Sequence, residues 1–307
     1  MIGIDVGGAN LKVVDDAGVH MHYCPLWQGA PLADMLEAYE DGAAVVMSGE
    51  LADCFSSKAA GIAWIVETVK CALPGAAFYG TDAAFHTQPV PELAAANWLA
   101  SADCLRAEYP DAVLLDVGST TADIIPLNRF EHLKGLTDTK RLQKGFLVYT
   151  GMLRTNIAAV LKSVEIDGIE TLTSTEYFAI SADAHLVLGT ISPAEYICST
   201  PDGGEITHRG SLQRLARLVC ADLEEIGEDA ALGIARQFRD AQRDQLVRAV
   251  ERVVAESGAD RILVAGIGAP LFARELGGID LRQEMGIVSD ALPAYAVREV
   301  ALRTAGH

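Results

Sequence analysis

Basic residues are scarce in this chain: 24 Lys and Arg stand against 42 Asp and Glu over 307 residues, a formal charge of −18. A surface this acidic does not wrap nucleic acid or settle on an anionic membrane, because its long-range field repels both. A small anionic ligand is not excluded, since a few local cations and backbone amides can override the net field. Aromatic residues are also few, 6% of the total, which suits small and closely packed α/β elements. The three tryptophans, Trp27, Trp64 and Trp98, are expected in the core. The six cysteines form no CxxC pair and no zinc-like spacing, so reduced and mostly buried thiols are expected. No apolar run approaches the ~20 residues that span a bilayer. No charged n-region and apolar h-region precede Ile2, and the expected location is the cytoplasm.

Common phosphate and catalytic signatures are missing too. The P-loop pattern does not occur. Gly266-Ile267-Gly268 continues as Ala-Pro-Leu, without the third glycine of the dinucleotide fingerprint. There is no nucleophile elbow, no HExxH and no EF-hand loop.

What is present is one motif used twice. IGIDVGGANLKVV, Ile2 to Val14, reads as strand, glycine turn, strand. LLDVGSTTADIIPL, Leu114 to Leu127, repeats the pattern, and Asp5-Val6-Gly7 coincides with Asp116-Val117-Gly118. Such a duplication predicts two domains facing a shared cleft. Gly7 and Gly8 let the backbone approach a phosphate, Asn10 is a neutral donor and Lys12 a point charge. In the second turn Gly118 is followed by the hydroxyls of Ser119, Thr120 and Thr121. Asp5, Asp116 and Asp123 cannot touch phosphate without repulsion, so they are candidate Mg2+ ligands. Lys12 on one side and Asp123 on the other is the pairing that a metal–diphosphate clamp needs. A glycine hairpin with a surface lysine remains the plain alternative for the first turn alone.

Between and after these units the periodicity predicts further elements. Strands are expected at Val19–Cys24, Ala43–Met47 and Ala76–Tyr79, and an amphipathic helix at Gly61–Leu73, where Ile62, Ile65, Val66 and Val69 share a face. Pro91–Tyr109 reads as a helix. Residues 129–144 read as a polar loop or lid-like insertion, and Thr150–Lys162 and Thr175–Gly189 as helices. Helices are also expected at Ser211–Leu223, 229–257 and 291–303, with strand, glycine turn and helix over 260–272. The domains expected are 1–110 and 111–289, with an inserted helical region at about 129–210. A C-terminal helix within 290–307 packs back on the first domain.

The paired motifs resemble those of the actin–sugar kinase–Hsp70 superfamily. That resemblance implies two ribonuclease-H-like α/β domains around a central cleft, with Val264 to Pro270 in the place of the adenosine loop. Gly266 and Gly268 thereby join the phosphate-binding candidates. That family prefers two adjacent glycines there, and Ile267 separates them here, which disfavours ATP. Two further stretches, Met47 to Lys58 (MSGELADCFSSK) and Leu147 to Thr155 (LVYTGMLRT), resemble hydantoinase/oxoprolinase-like proteins linked to tetrahydromethanopterin one-carbon metabolism. Within that group the chain is similar to a synthase family of methanofuran biosynthesis. The resemblance implies condensation of an aminomethylfuran diphosphate with the phenol of γ-glutamyltyramine, releasing pyrophosphate without consuming ATP. Small-molecule diphosphate and phenolic amine substrates, with Mg2+ as cofactor, are then expected, and a homo-oligomer is compatible. An ATP-dependent kinase or hydrolase using the same loops, and a non-catalytic nucleotide-binding assembly protein, stay open.

Within the first of those stretches Glu50 and Asp53 fall three apart, on one side of a helical turn after Ser48, as candidate bases or amine-binding groups. Lys58 and Arg154 are candidates for a substrate carboxylate or phosphate. For all four, a surface turn with capping residues is the competing account. Asp183, at helical spacing between Ile180 and Val187, either ligates metal or satisfies a backbone donor. His20 and His22 share a strand face without a third ligand, and His185 reads as packing.

Overall fold

The computed structural model describes residues 1–40 and 42–306. Strand β1 (Ile2–Val6) is buried at every position, including Asp5, as a central strand covered on both faces must be. It pairs antiparallel with β2 (Asn10–Val14), which pairs in turn with β3 (Val19–Tyr23). On its other side β1 runs parallel to β4 (Ala43–Met47), and β5 (Ala77–Tyr79) and β6 (Phe85–His86) extend that edge. The order is β3-β2-β1-β4-β5-β6.

The second sheet repeats this plan. β7 (Ala112–Val117) is flanked by antiparallel β8 (Ala122–Pro126) and then β9 (Leu147–Val148). A separate hairpin of β10 (Ser163–Ile166) and β11 (Ile169–Leu172) precedes β12 (Arg261–Ala265) and β13 (Ile279–Asp280), which complete the sheet as β13-β12-β7-β8-β9. Strand for strand, β9-β8-β7-β12-β13 matches β3-β2-β1-β4-β5. The molecule is a pair of ribonuclease-H-like α/β units.

Helices cover both sheets. Lys58–Ala72 is capped by the Ser57 hydroxyl and buries the stripe of Ile62, Ile65, Val66 and Val69 against β1 and β4. The C-terminal helix Leu292–Ala305 lies on β1, β4 and helix Asn97–Leu105. There Val297 and Val300 join one apolar cluster with Val46, Leu99, Leu114 and Leu263, which ties the two sheets together at their base. No helix among the described residues is long and apolar enough to cross a membrane.

Several elements differ from the sequence reading. Residues 129–144 are not a polar lid: Phe130, Leu133 and Leu136 are buried in the shared core, the first two on the short helix Phe130–Leu133 and Leu136 in the link to helix Asp138–Lys144. The region from 150 to 189 is not mainly helical. Only Ile157–Val160 and Ser181–Val187 are helices, and β10–β11 turns through Asp167-Gly168, both in the left-handed region. The helix expected over Pro91–Tyr109 begins only at Asn97, after a 3-10 turn and a left-handed Ala95. Helix Leu223–Ser257 breaks at Gly227. Of the tryptophans only Trp98 is buried; Trp64 is 38% exposed beside Phe55 and Trp27 is half-buried. The cysteines are free, but only Cys24 is buried, and Cys54, Cys71 and Cys220 are exposed.

Candidate functional site

Sheet register brings the two copies of the motif into equivalent positions. Asp5 faces Lys12 across β1–β2, and Asp116 faces Asp123 across β7–β8. Each turn closes with a bond from its glycine: Gly7 N–H to the Asn10 carbonyl at 2.9 Å, and Gly118 N–H to the Thr121 carbonyl at 3.0 Å. Among the hydrogen bonds of the described residues, none uses the N–H groups of Gly8, Ser119 or Thr120. Those donors are available to an anion. The Ser119 and Thr120 hydroxyls lie 3.4 Å apart beside them. The Asn10 side-chain oxygen is buried without a partner.

Both resemblance-bearing stretches press on these turns. Ser48 and Gly49 N–H bond the Val6 carbonyl at 3.0 and 3.1 Å. A Cβ on Gly49 would sit 2.9 Å from the Gly7 carbonyl oxygen, so only glycine fits. Gly151 plays the same part at the second turn, where a Cβ would lie 2.6 Å from Thr120 N. Gly268 N–H bonds the carbonyl of Val117, the counterpart of Val6, at 3.1 Å. Gly266-Ile267-Gly268 in the second unit thus corresponds to Ser48-Gly49 in the first.

The acids between the turns outnumber the cations. Lys12 Nζ donates to the Asp290 carbonyl oxygen at 2.7 Å, and its charge acts on Asp5, Asp116 and Asp290. Asp5 is buried and its Oδ1 has no hydrogen-bond partner. Burial pushes its carboxyl up to about 6, against the pull of Lys12 and with a contribution from Asp123. Asp116 rises to about 7, from burial first and then from Asp123, with Lys12 again opposing. Asp123, expected as a metal ligand, is bonded to Arg141 through one oxygen. Arg141 is itself buried, bonds Asp138 at 2.9 Å and lies 4.3 Å from the Trp98 ring centre. Among the described residues no three Asp, Glu, His or Cys side chains converge into a ready-made metal cage. Asp5 and Asp116 share the charge of Lys12, and each carboxyl is nonetheless held above its ordinary value. Divalent ions that keep several waters and bind through one or two carboxylates suit such a donor set.

Glu50 and Asp53 do not share a helical turn. They lie in an irregular turn that sends Glu50 inward, 1% exposed, and Asp53 outward. Glu50 Oε2 is unpartnered and Oε1 is 3.8 Å from Lys58 Nζ, which lies 4.0 Å from Asp138. Burial raises the Glu50 carboxyl, with Lys58 opposing. A chain of charges, Glu50, Lys58, Asp138, Arg141 and Asp123, therefore runs from the first unit to the second. Arg154 stands apart from it, its guanidinium 4.8 Å from the Trp27 ring centre.

The remaining candidates are structural. Asp183 accepts from Ile180 N–H, Tyr196 Oη, Ser211 Oγ and Arg214 Nε, so it has no capacity left for a metal. His20 pairs with Asp15 and His22 with Tyr39. His185 is buried between Thr190 and Gln242, and burial lowers its pKa to about 4. Sequence reading missed Asp290 and Arg141. Neither lies in a recognisable motif; Asp290 reaches Lys12 from 278 positions away. Two surface depressions, one by Pro270, Arg274 and Asp280 and one by Asn128, Arg129 and His132, contain none of the candidate residues.

The hydantoinase/oxoprolinase family pattern matches residues 41–302. The chain belongs to that family. It is 33% identical to the (4-{4-[2-(gamma-L-glutamylamino)ethyl]phenoxymethyl}furan-2-yl)methanamine synthase of Methanocaldococcus jannaschii, over 98% of this chain and 97% of that protein. The synthase of the same name from Methanococcus vannielii is 34% identical over 58% of this chain and 81% of its own length. Among solved structures, nucleotide-free acetone carboxylase aligns at TM-score 0.48 and 11% identity, over 94% of this chain and 51% of that one. A ROK family glucokinase from Streptomyces griseus, in complex with glucose and AMPPNP, aligns at 0.37 and 13%, over 97% and 99%.

Proposed function

We propose that this family member condenses an aminomethylfuran diphosphate with the phenol of γ-glutamyltyramine, or a related tyramine compound, and releases pyrophosphate in methanofuran-type cofactor biosynthesis. The reading is carried by the two facing turns, whose free N–H groups and single lysine lie beside the buried Asp5 and the half-buried Asp116. The name shared by the two curated relatives supports the same product class.

The reaction breaks the bond between the furfuryl carbon and the diphosphate oxygen, and the electron pair leaves with pyrophosphate. The phenol oxygen bonds to that carbon, and its proton passes to a base. An electron-rich furan delocalises the positive charge that develops, so the protein's main task is to neutralise the leaving group. Lys12 and the N–H groups of Gly8, Ser119 and Thr120 would do so. Bound Mg2+ would add positive charge at the diphosphate oxygens, held by Asp5 and Asp116. A phenol has an ordinary pKa near 10, so a positioned base assists its deprotonation. Glu50, buried beside Lys58, fits that role better than the exposed Asp53. No step uses ATP.

The test is a reaction of the purified protein with the furan diphosphate, γ-glutamyltyramine and Mg2+, followed by mass spectrometry and a pyrophosphate assay. Equimolar aryl ether and pyrophosphate are expected. ADP or phosphate formed from added ATP, with no ether, would replace this reading by a kinase or hydrolase. Neither product would leave a nucleotide-binding assembly protein.

A further inference from the structure

The segments that follow β3 and β9 fold back over the two turns in the same way. Cys24 N–H bonds the Ala9 carbonyl at 2.8 Å and Leu26 N–H bonds that of Gly8 at 3.0 Å. In the second unit Met152 N–H bonds the Gly118 carbonyl at 2.9 Å, and Leu153 and Arg154 N–H bond that of Ser119 at 2.9 and 3.0 Å. Each flap thus rides on one phosphate turn. Their tips meet where the Arg154 guanidinium lies over the Trp27 ring, 4.8 Å from its centre, with both side chains half-buried.

Arg154 differs from the other arginines near the core. Arg141 and Arg214 are bonded to Asp123 and Asp183. Among the described residues none accepts a hydrogen bond from the Arg154 guanidinium. Packing over an indole ring leaves a guanidinium's N–H donors unspent, because the ring face supplies no hydrogen-bond acceptor of ordinary strength. Those donors match the oxygens of a diphosphate, which accept a planar fork in pairs. Lys12 alone cannot balance a departing pyrophosphate, and its charge is shared with three carboxylates.

We infer that Arg154 is the second cation of the diphosphate site and that Trp27 is the residue that positions it. Trp27 hangs from the first turn and Arg154 from the second, so the pair is complete only when the turns face each other across the seam. This inference rests on the diphosphate reading above, and it gives a role to a tryptophan that the sequence alone assigns to packing.

The full chain is titrated with pyrophosphate and Mg2+ by calorimetry and by tryptophan fluorescence. Arg154→Ala is expected to weaken binding about 10- to 100-fold, and Arg154→Lys by less, because lysine keeps charge but loses the fork. Trp27→Phe retains an aromatic face and binds within about threefold of wild type, whereas Trp27→Ala loses most of what Arg154→Ala loses. The double variant Trp27→Ala/Arg154→Ala binds no more weakly than Arg154→Ala alone. Pyrophosphate changes the fluorescence of the wild type, and the change disappears in Trp27→Phe. Wild-type affinity in Arg154→Ala overturns the inference while leaving the diphosphate site standing. A wild type that does not bind pyrophosphate overturns the diphosphate reading itself.

Discussion

Lys12 and Asp123 occupy the same rung of two equivalent sheets, one opposite Asp5 and the other opposite Asp116. Duplication has left a cation on one side of the seam and a carboxylate on the other. Arg141 takes up the charge of Asp123 and Arg282 pairs with Asp290 at 3.2 Å, so Lys12 is the cation that Asp5 and Asp116 share. Lys12→Ala and Asp5→Asn are each expected to reduce turnover by about 10²- to 10³-fold with the fold retained. Ether formation and circular dichroism, measured on the same preparations, check this. Wild-type rates in either variant contradict the clamp.

The same acids set a pH dependence. Asp5 and Asp116 titrate at about 6 and 7 in the folded chain, against 3.8 when unfolded. Across that window the native state binds more protons than the unfolded state, so these two groups lower stability as pH rises. Removing one charge relieves the cost. In the absence of divalent ions, the Tm of Asp5→Asn should exceed that of wild type by a few °C at pH 8; the gap should narrow at pH 5 and close only below the unfolded value of 3.8. Mg2+ should likewise raise the wild-type Tm more at pH 8 than at pH 5. Thermal melts at the two pH values read both effects.

Glu50 and Asp53 separate under substitution. Glu50→Gln keeps the shape of a buried side chain but removes its basicity, and is expected to lower kcat about 10²-fold. Asp53→Asn changes an exposed group and should leave kcat within twofold. If Asp53→Asn is the damaging variant, the assignment of the base is reversed.

Arg141 is a stability prediction. Arg141→Ala leaves the half-buried Asp123 without its partner and removes the contact with the Trp98 ring, a loss of about 1–3 kcal/mol. Arg141→Met with Asp123→Asn should recover much of that loss, because it removes the unpaired charge as well. Denaturant unfolding of the three proteins measures the difference.

The repeat was legible because Asp, Val and Gly recur with the same strand pattern around them, and β-register follows from that spacing. Helix Lys58–Ala72 was legible from its stripe of Ile62, Ile65, Val66 and Val69. The 129–144 segment was not: its charged residues mask Phe130, Leu133 and Leu136, which only a shared core could claim. The β10–β11 hairpin carried its own signal, Asp167-Gly168 between apolar residues, beneath the helical look of its neighbours. At the site, the turns and their acids could be read from the motif. Asp290 and Arg141 could not, because they reach the seam through long-range packing and no local pattern announces it.

Isothermal titration of the protein with pyrophosphate and with ATP, each in the presence of Mg2+, tests the central claim most directly. The account predicts saturable binding of pyrophosphate, lost in Lys12→Ala, and no ATP hydrolysis. Tight ATP binding with turnover to ADP, alongside indifference to pyrophosphate, would contradict it.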